Sequence, residues 1–135
     1  SKPASESPPH QSNLFLLIVR CELAEPPVTV QSVQEWLVDL VSKIRMRIMS
    51  GPHVAYCAVP GNRGVTGVVV IETSHIALHV WDETDPALLQ LDVYTCSELD
   101  PKIIADCLHK WRPTAIEYKF LDRDSALREI DSGTM

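Results

Sequence analysis

Between Gly64 and Cys96 the chain gathers two hydroxyls, two imidazoles and a thiol: Thr66, Ser74, His75, His79 and Cys96. Such side chains can attack a carbonyl, carry a proton near neutral pH or deliver one from sulfur. Taken singly, each has an ordinary structural role. A serine in a hairpin turn usually serves the turn, a strand histidine is usually a satisfied polar group, and a half-buried cysteine behaves as a small hydrophobe. A metal site on His75 and His79 is disfavoured, because four residues along one strand set the rings roughly 13 Å apart. The nearby carboxylates Glu72, Asp82, Glu83, Asp85 and Asp92 suit either a cationic substrate group or solvent.

The local pattern says how these groups are held. Val68 to Ile71 is an apolar β-branched run bounded by Gly67 and the Thr73-Ser74 pair, which predicts a buried strand ending in a tight turn. His75 to Trp81 then alternates, with His75, Ala77, His79 and Trp81 on one face and Ile76, Leu78 and Val80 on the other. The result is a hairpin with a serine at its tip. Leu89 to Cys96 reads as a further strand whose faces divide into Leu89, Leu91, Val93, Thr95 and Gln90, Asp92, Tyr94, Cys96. The faces bearing His79 and Cys96 are therefore expected to line one site.

Gly64-Val65-Thr66-Gly67-Val68-Val69-Val70-Ile71, Thr73-Ser74-His75, His79-Val80-Trp81 and Asp92-Val93-Tyr94-Thr95-Cys96 together resemble the prokaryotic type of S-adenosylmethionine decarboxylase. That family is pyruvoyl-dependent, acts in polyamine synthesis and forms dimers. Order, spacing and residue types agree from Gly64 to Cys96; outside that stretch only the order of elements is similar.

Decarboxylation of an amino acid leaves a carbanion, so an electron sink joined to the substrate amine is needed. The resemblance implies that the sink is a pyruvoyl group made from Ser74. Its hydroxyl would attack the preceding carbonyl, the ester would undergo elimination, and the chain would be cut between Thr73 and Ser74. The same resemblance places the processing and proton-transfer histidine on His79 and the thiol that protonates the α-carbon on Cys96. Thr66 stands for a serine that assists processing, and Thr73 for the residue before the cut. The implied substrate is S-adenosylmethionine, the implied product an aminopropyl donor for spermidine, and the implied assembly a homodimer.

The chain departs from the family at named places. Thr73 replaces a glutamate, and a β-branched residue stiffens that turn. Pro60 stands where the family stacks an aromatic ring on adenine, and stacking is a large part of purine recognition. The 82–91 loop is longer and lacks a Pro-Glu-Tyr-Gly sequence, and no His-Leu pair opens the first strand. These departures leave two alternatives: a related decarboxylase for a smaller amino acid such as ornithine or arginine, or an unprocessed, non-catalytic homologue that binds or regulates a partner.

In chain order, residues 1–13 are rich in Ser and Pro and read as a disordered tail. Leu14 to Cys21 is a near-continuous apolar run, read as a buried strand. Ser32-Val33-Gln34-Glu35 fits a capping box, and Val33, Trp36, Leu37, Leu40, Val41, Ile44 and Ile48 recur at helical spacing up to Gly51-Pro52. Arg45 and Arg47 then fall on the helix's solvated face. His53 to Val59 is a short strand. Asp100-Pro101 starts a second helix, Pro113 stops it, and Thr114 to Phe120 is a last strand. Residues 122–135 read as a frayed helix and tail.

The order β-α-β-β-β-α-β predicts an α/β (α+β) two-layer sandwich, an antiparallel or mixed sheet covered by two helices, in a single domain over residues 14–121. A sheet with one bare face commonly uses it to dimerise. With 135 residues, 45% hydrophobic, 22% charged and a net charge of −6, nucleic acid is an unsuitable main partner. No apolar run approaches the roughly 20 residues that cross a bilayer. Four cysteines without paired spacing or a signal peptide point to a reduced, cytoplasmic setting.

Overall fold

The strands at the middle of the sheet carry the period of two that the sequence predicts for the hairpin. The computed structural model describes residues 14–135; the tail read over residues 1–13 lies outside them. In β1 (Phe15–Leu23), Leu17, Val19, Cys21 and Leu23 are buried while Ile18 and Arg20 face out. The run that reads as continuously buried is thus covered on one side only. β3 (Gly64–Ile71), β4 (Ser74–Trp81) and β5 (Ala87–Thr95) alternate in the same sense.

The chain continues through α1 (Val30–Lys43), β2 (Ile48–Cys57), α2 (Pro101–Leu108), β6 (Pro113–Asp122) and β7 (Glu129–Thr134). All neighbours are antiparallel, in the order β2-β3-β4-β5-β1-β6-β7. The four strands between the helices match the four segments read there, one more than the order β-α-β-β-β-α-β counts, and the structure adds one at the end. The segment read as a frayed helix instead turns at residues 123–128 and returns as β7, with Tyr118 donating to Asp131 across the pair at 2.6 Å. Its carboxylates and hydroxyls satisfy a sheet edge, which helical periodicity does not capture.

Both helices lie on one face, giving the two-layer α+β architecture. α1 buries Val33, Trp36, Leu37, Leu40 and Val41; α2 buries Ile104, Ala105, Cys107 and Leu108. Trp36 donates its indole N–H to the Cys107 carbonyl at 2.9 Å and packs on Trp111 with ring centroids 4.7 Å apart, joining the helices. α2 starts as predicted, with Asp100 accepting from the Lys102 amide and Pro101 in the first turn. α1 is capped earlier than the capping-box reading, by Thr29, whose side chain accepts from the Ser32 amide. It also stops at Lys43, so Ile48 belongs to a strand, and Arg45 and Arg47 sit in the connection rather than on a helix.

Two glycines let the hairpin approach its neighbours. A Cβ on Gly67 would meet Leu37 and Val33 of α1 at 3.0 Å, so this glycine sets how closely the helix packs. Gly64, at φ +150°, would place a Cβ 1.7 Å from the Val80 carbonyl oxygen. Gly64 accepts no other residue without moving backbone, whereas at Gly67 the Leu37 and Val33 side chains would have to give by a few tenths of an ångström.

Candidate active site

The β3–β4 register pairs Thr66 with His79, Val70 with His75 and Ile71 with Ser74, leaving Glu72 and Thr73 as a two-residue link. Thr73 lies at φ +51°. Glu72 is anchored on both sides: its amide donates to the Arg47 carbonyl at 3.1 Å, and its carbonyl accepts the Cys96 thiol at 3.3 Å. Cys96 follows the last residue of β5, so the end of one strand pins the turn of another.

Ser74 begins β4 on the helix-covered side, in line with Ile76, Leu78 and Val80, and is 7% exposed. Its Oγ is a buried side-chain polar atom with no hydrogen-bond partner among the described residues. Buried hydroxyls are normally paired, so an orphan calls for strain, a reactive role or a bound water or ion. By contrast Thr95, more deeply buried, donates to the Ser97 carbonyl at 2.9 Å.

His79 lies on the opposite, bare face. Its Nδ1 sits 3.1 Å from the Thr66 hydroxyl, and its ring centroid is 6.0 Å from that of Trp81. The predicted face sharing holds: His75, Ala77 and His79 stand opposite Tyr94, Asp92 and Gln90. Ser74, on the helix-covered side, is not on that shared face. Five residues along a strand place Ser74 and His79 roughly 16 Å apart and on opposite faces. One chain therefore holds two groups, Ser74 with Cys96 at the turn and Thr66 with His79 mid-sheet.

The acidic loop after Trp81 is a clamp. Glu83 accepts from the Gly61 and Arg63 amides, each at 3.1 Å, Tyr56 donates to Asp82 at 2.9 Å, and the Trp81 indole reaches Asn62 at 3.4 Å. The Gly61 and Arg63 amides hold the Glu83 carboxyl below its ordinary range. The hydrogen bond to Asp82, which favours the neutral phenol, raises Tyr56. Glu83 is thus committed to tying Gly61 and Arg63 to the 82–91 loop and Asp82 to holding Tyr56 of β2, roles their spacing in the sequence does not signal. A cavity of about 670 Å³ between the C-terminal end of α1 and the start of α2, lined by Phe15, Ile44, Leu99 and Phe120 among others, contains none of the predicted site residues. The thiols divide too: burial pushes Cys21 up to about 12 and raises Cys107.

An antiparallel sheet with two helices on one face is also the fold of a solved decarboxylase. The adenosylmethionine decarboxylase of Aquifex aeolicus superposes with a TM-score of 0.71, over 91% of this chain and 98% of that one, at 22% identity. Among curated proteins, the S-adenosylmethionine decarboxylase proenzyme of Archaeoglobus fulgidus is 30% identical over 110 residues, 78% of this chain and 88% of that protein. The proenzyme of Bacillus velezensis is 47% identical over 51 residues, 35% of this chain and 39% of its own. A family model described as S-adenosylmethionine decarboxylase matches residues 24–124. The chain belongs to the S-adenosylmethionine decarboxylase family.

Proposed function

We propose that this chain decarboxylates S-adenosylmethionine, supplying aminopropyl groups for spermidine synthesis, after cutting itself between Thr73 and Ser74. The observation that carries this reading is the buried, unpartnered Ser74 hydroxyl, adjoining the Thr73 carbonyl in a turn anchored at both sides. A hydroxyl without a partner keeps its lone pairs for attack and has no hydrogen bond to surrender first.

A pyruvoyl group at Ser74 fits the same observation, and it supplies the electron sink that decarboxylation requires. Cys96, beside the turn, donates a proton to the α-carbon after carbon dioxide leaves. His79 moves protons during processing and turnover, and the Thr66 hydroxyl fixes its ring through Nδ1, leaving Nε2 for exchange. The working unit is a homodimer in which a second copy covers the bare face that carries Thr66 and His79. Ile18, Val68 and Val70, 40%, 37% and 40% exposed there, support that face as the contact. Among the described residues no helix is long and apolar enough to cross a membrane, and the four cysteines are free thiols, in keeping with a reducing cytoplasm.

Denaturing intact-mass measurement of fresh protein tests the reading. Two fragments divided at Thr73, the C-terminal one lighter by the loss of ammonia, are expected, and Ser74→Ala stays whole. Carbon dioxide release is then expected from S-adenosylmethionine and not from ornithine or arginine. A single full-length mass that persists on incubation overturns the reading.

A further inference from the structure

We propose, resting on the self-cleavage reading above, that Thr73 is a positioning residue whose left-handed backbone stores strain that the shift from amide to ester releases. At φ +51° it occupies the second central position of the turn, where glycine or asparagine is the usual tenant. For a β-branched residue this conformation is an outlier, and such outliers persist only where the surroundings over-determine them. The surroundings here do so. On one side Glu72 is tied through its amide to the Arg47 carbonyl and through its carbonyl to the Cys96 thiol. On the other, Ser74 is paired with Ile71 and its side chain is buried.

The strained residue contributes the carbonyl of the bond to be broken. Ser74 Oγ adds to the Thr73 carbonyl carbon, the bond from that carbon to the Ser74 nitrogen breaks, and the hydroxyl proton ends on the freed amine. No oxidant or reductant is involved. The ester path from Thr73 to the Ser74 α-carbon, through oxygen and Cβ, is one bond longer than the amide path. A longer, more freely rotating link lets Thr73 leave the left-handed region, so the strain favours the ester over the amide.

Two variants separate strain from other roles of the side chain. Thr73→Gly removes the strain because glycine adopts positive φ freely; Thr73→Val keeps the β-branch and the strain while removing the hydroxyl. Precursor is refolded from denaturant and the cut fraction followed by mass. Thr73→Gly is expected to cleave about 5- to 30-fold more slowly than Thr73→Val. In the uncut Ser74→Ala background, Thr73→Gly is expected to raise the urea midpoint above that of Thr73→Val, which reports the strain itself, and the cleavage rates report its use. Equal cleavage rates for the two variants, with wild type cutting normally, overturn the strain proposal alone. A wild-type chain that never cuts removes the self-cleavage reading and this proposal with it.

Discussion

The two ends of the β3–β4 hairpin handle their polar groups differently. At the closed end, Glu72 and Thr73 turn the chain through a left-handed threonine and leave the Ser74 hydroxyl unpartnered. At the open end, Glu83 takes two amides of the Pro60–Arg63 loop, Asp82 takes the Tyr56 phenol, and Asn62 takes the Trp81 indole. The same pair of strands joins a satisfied clamp to an unsatisfied turn. An unsatisfied buried group persists only where the surrounding structure over-determines it, and the satisfied clamp supplies rigidity at the other end of the same element.

The comparison can be broken most strongly through the clamp's backbone. Gly64→Ala forces a Cβ against the Val80 carbonyl and is expected to destabilise by roughly 3 kcal/mol or more, read as a lower urea midpoint. Ser74→Ala, at the other end, removes an unsatisfied polar atom and is expected to leave that midpoint nearly unchanged while abolishing cleavage. A large loss of stability in Ser74→Ala would contradict the orphaned hydroxyl.

Mid-hairpin, Thr66→Val removes the hydroxyl beside His79 Nδ1. The expected result is a fall of roughly two- to tenfold in kcat, the value of one hydrogen bond, with Thr66→Ser restoring most of it. An unchanged kcat would remove Thr66 from the site.

A smaller effect concerns pH. The Gly61 and Arg63 amides depress the Glu83 carboxyl below 4.5, so the folded state binds that proton less readily than the unfolded chain. The clamp's contribution is fully present above about 4.5 and lost as pH falls through the lower folded value. Glu83→Gln is therefore expected to flatten the acid limb of a stability profile and to leave neutral and alkaline pH dependence alone; an unaltered acid limb would show that the clamp is not coupled to folding. The smallest effect is kinetic. Cys21, with its thiol pushed up to about 12 and fully buried, is expected to be alkylated by iodoacetamide at pH 8 well after the half-buried Cys57 and Cys96, checked by peptide mapping.

Much of the site was readable before any coordinates. Alternation placed His75 and His79 on one face of β4 and Leu78 on the other, and the β5 faces fell where period two puts them. Asp100-Pro101 marked a helix start because cap and proline act within a few residues. The errors share a cause. α1 ended early because Arg45 turns left-handed and the following apolar residues joined a sheet edge, although their spacing still suited a helix. β7 is not legible in the sequence because an edge strand of Glu, Ile, Asp, Ser, Gly and Thr, exposed throughout, is held by pairing with β6, not by an apolar stripe.

The sequence by itself determined the hairpin, the serine at its turn, the faces of its strands and the family those residues belong to. All of these follow from local periodicity, turn chemistry and residue identity. Only the tertiary structure decided that Ser74 Oγ is orphaned, that Cys96 reaches the Glu72 carbonyl, that Glu83 is a clamp, and that His79 stands apart from Ser74 within one chain. Those depend on which strand ends and loops meet in three dimensions, and hydrogen bonds between residues about 20 or more positions apart leave no periodic trace in the chain.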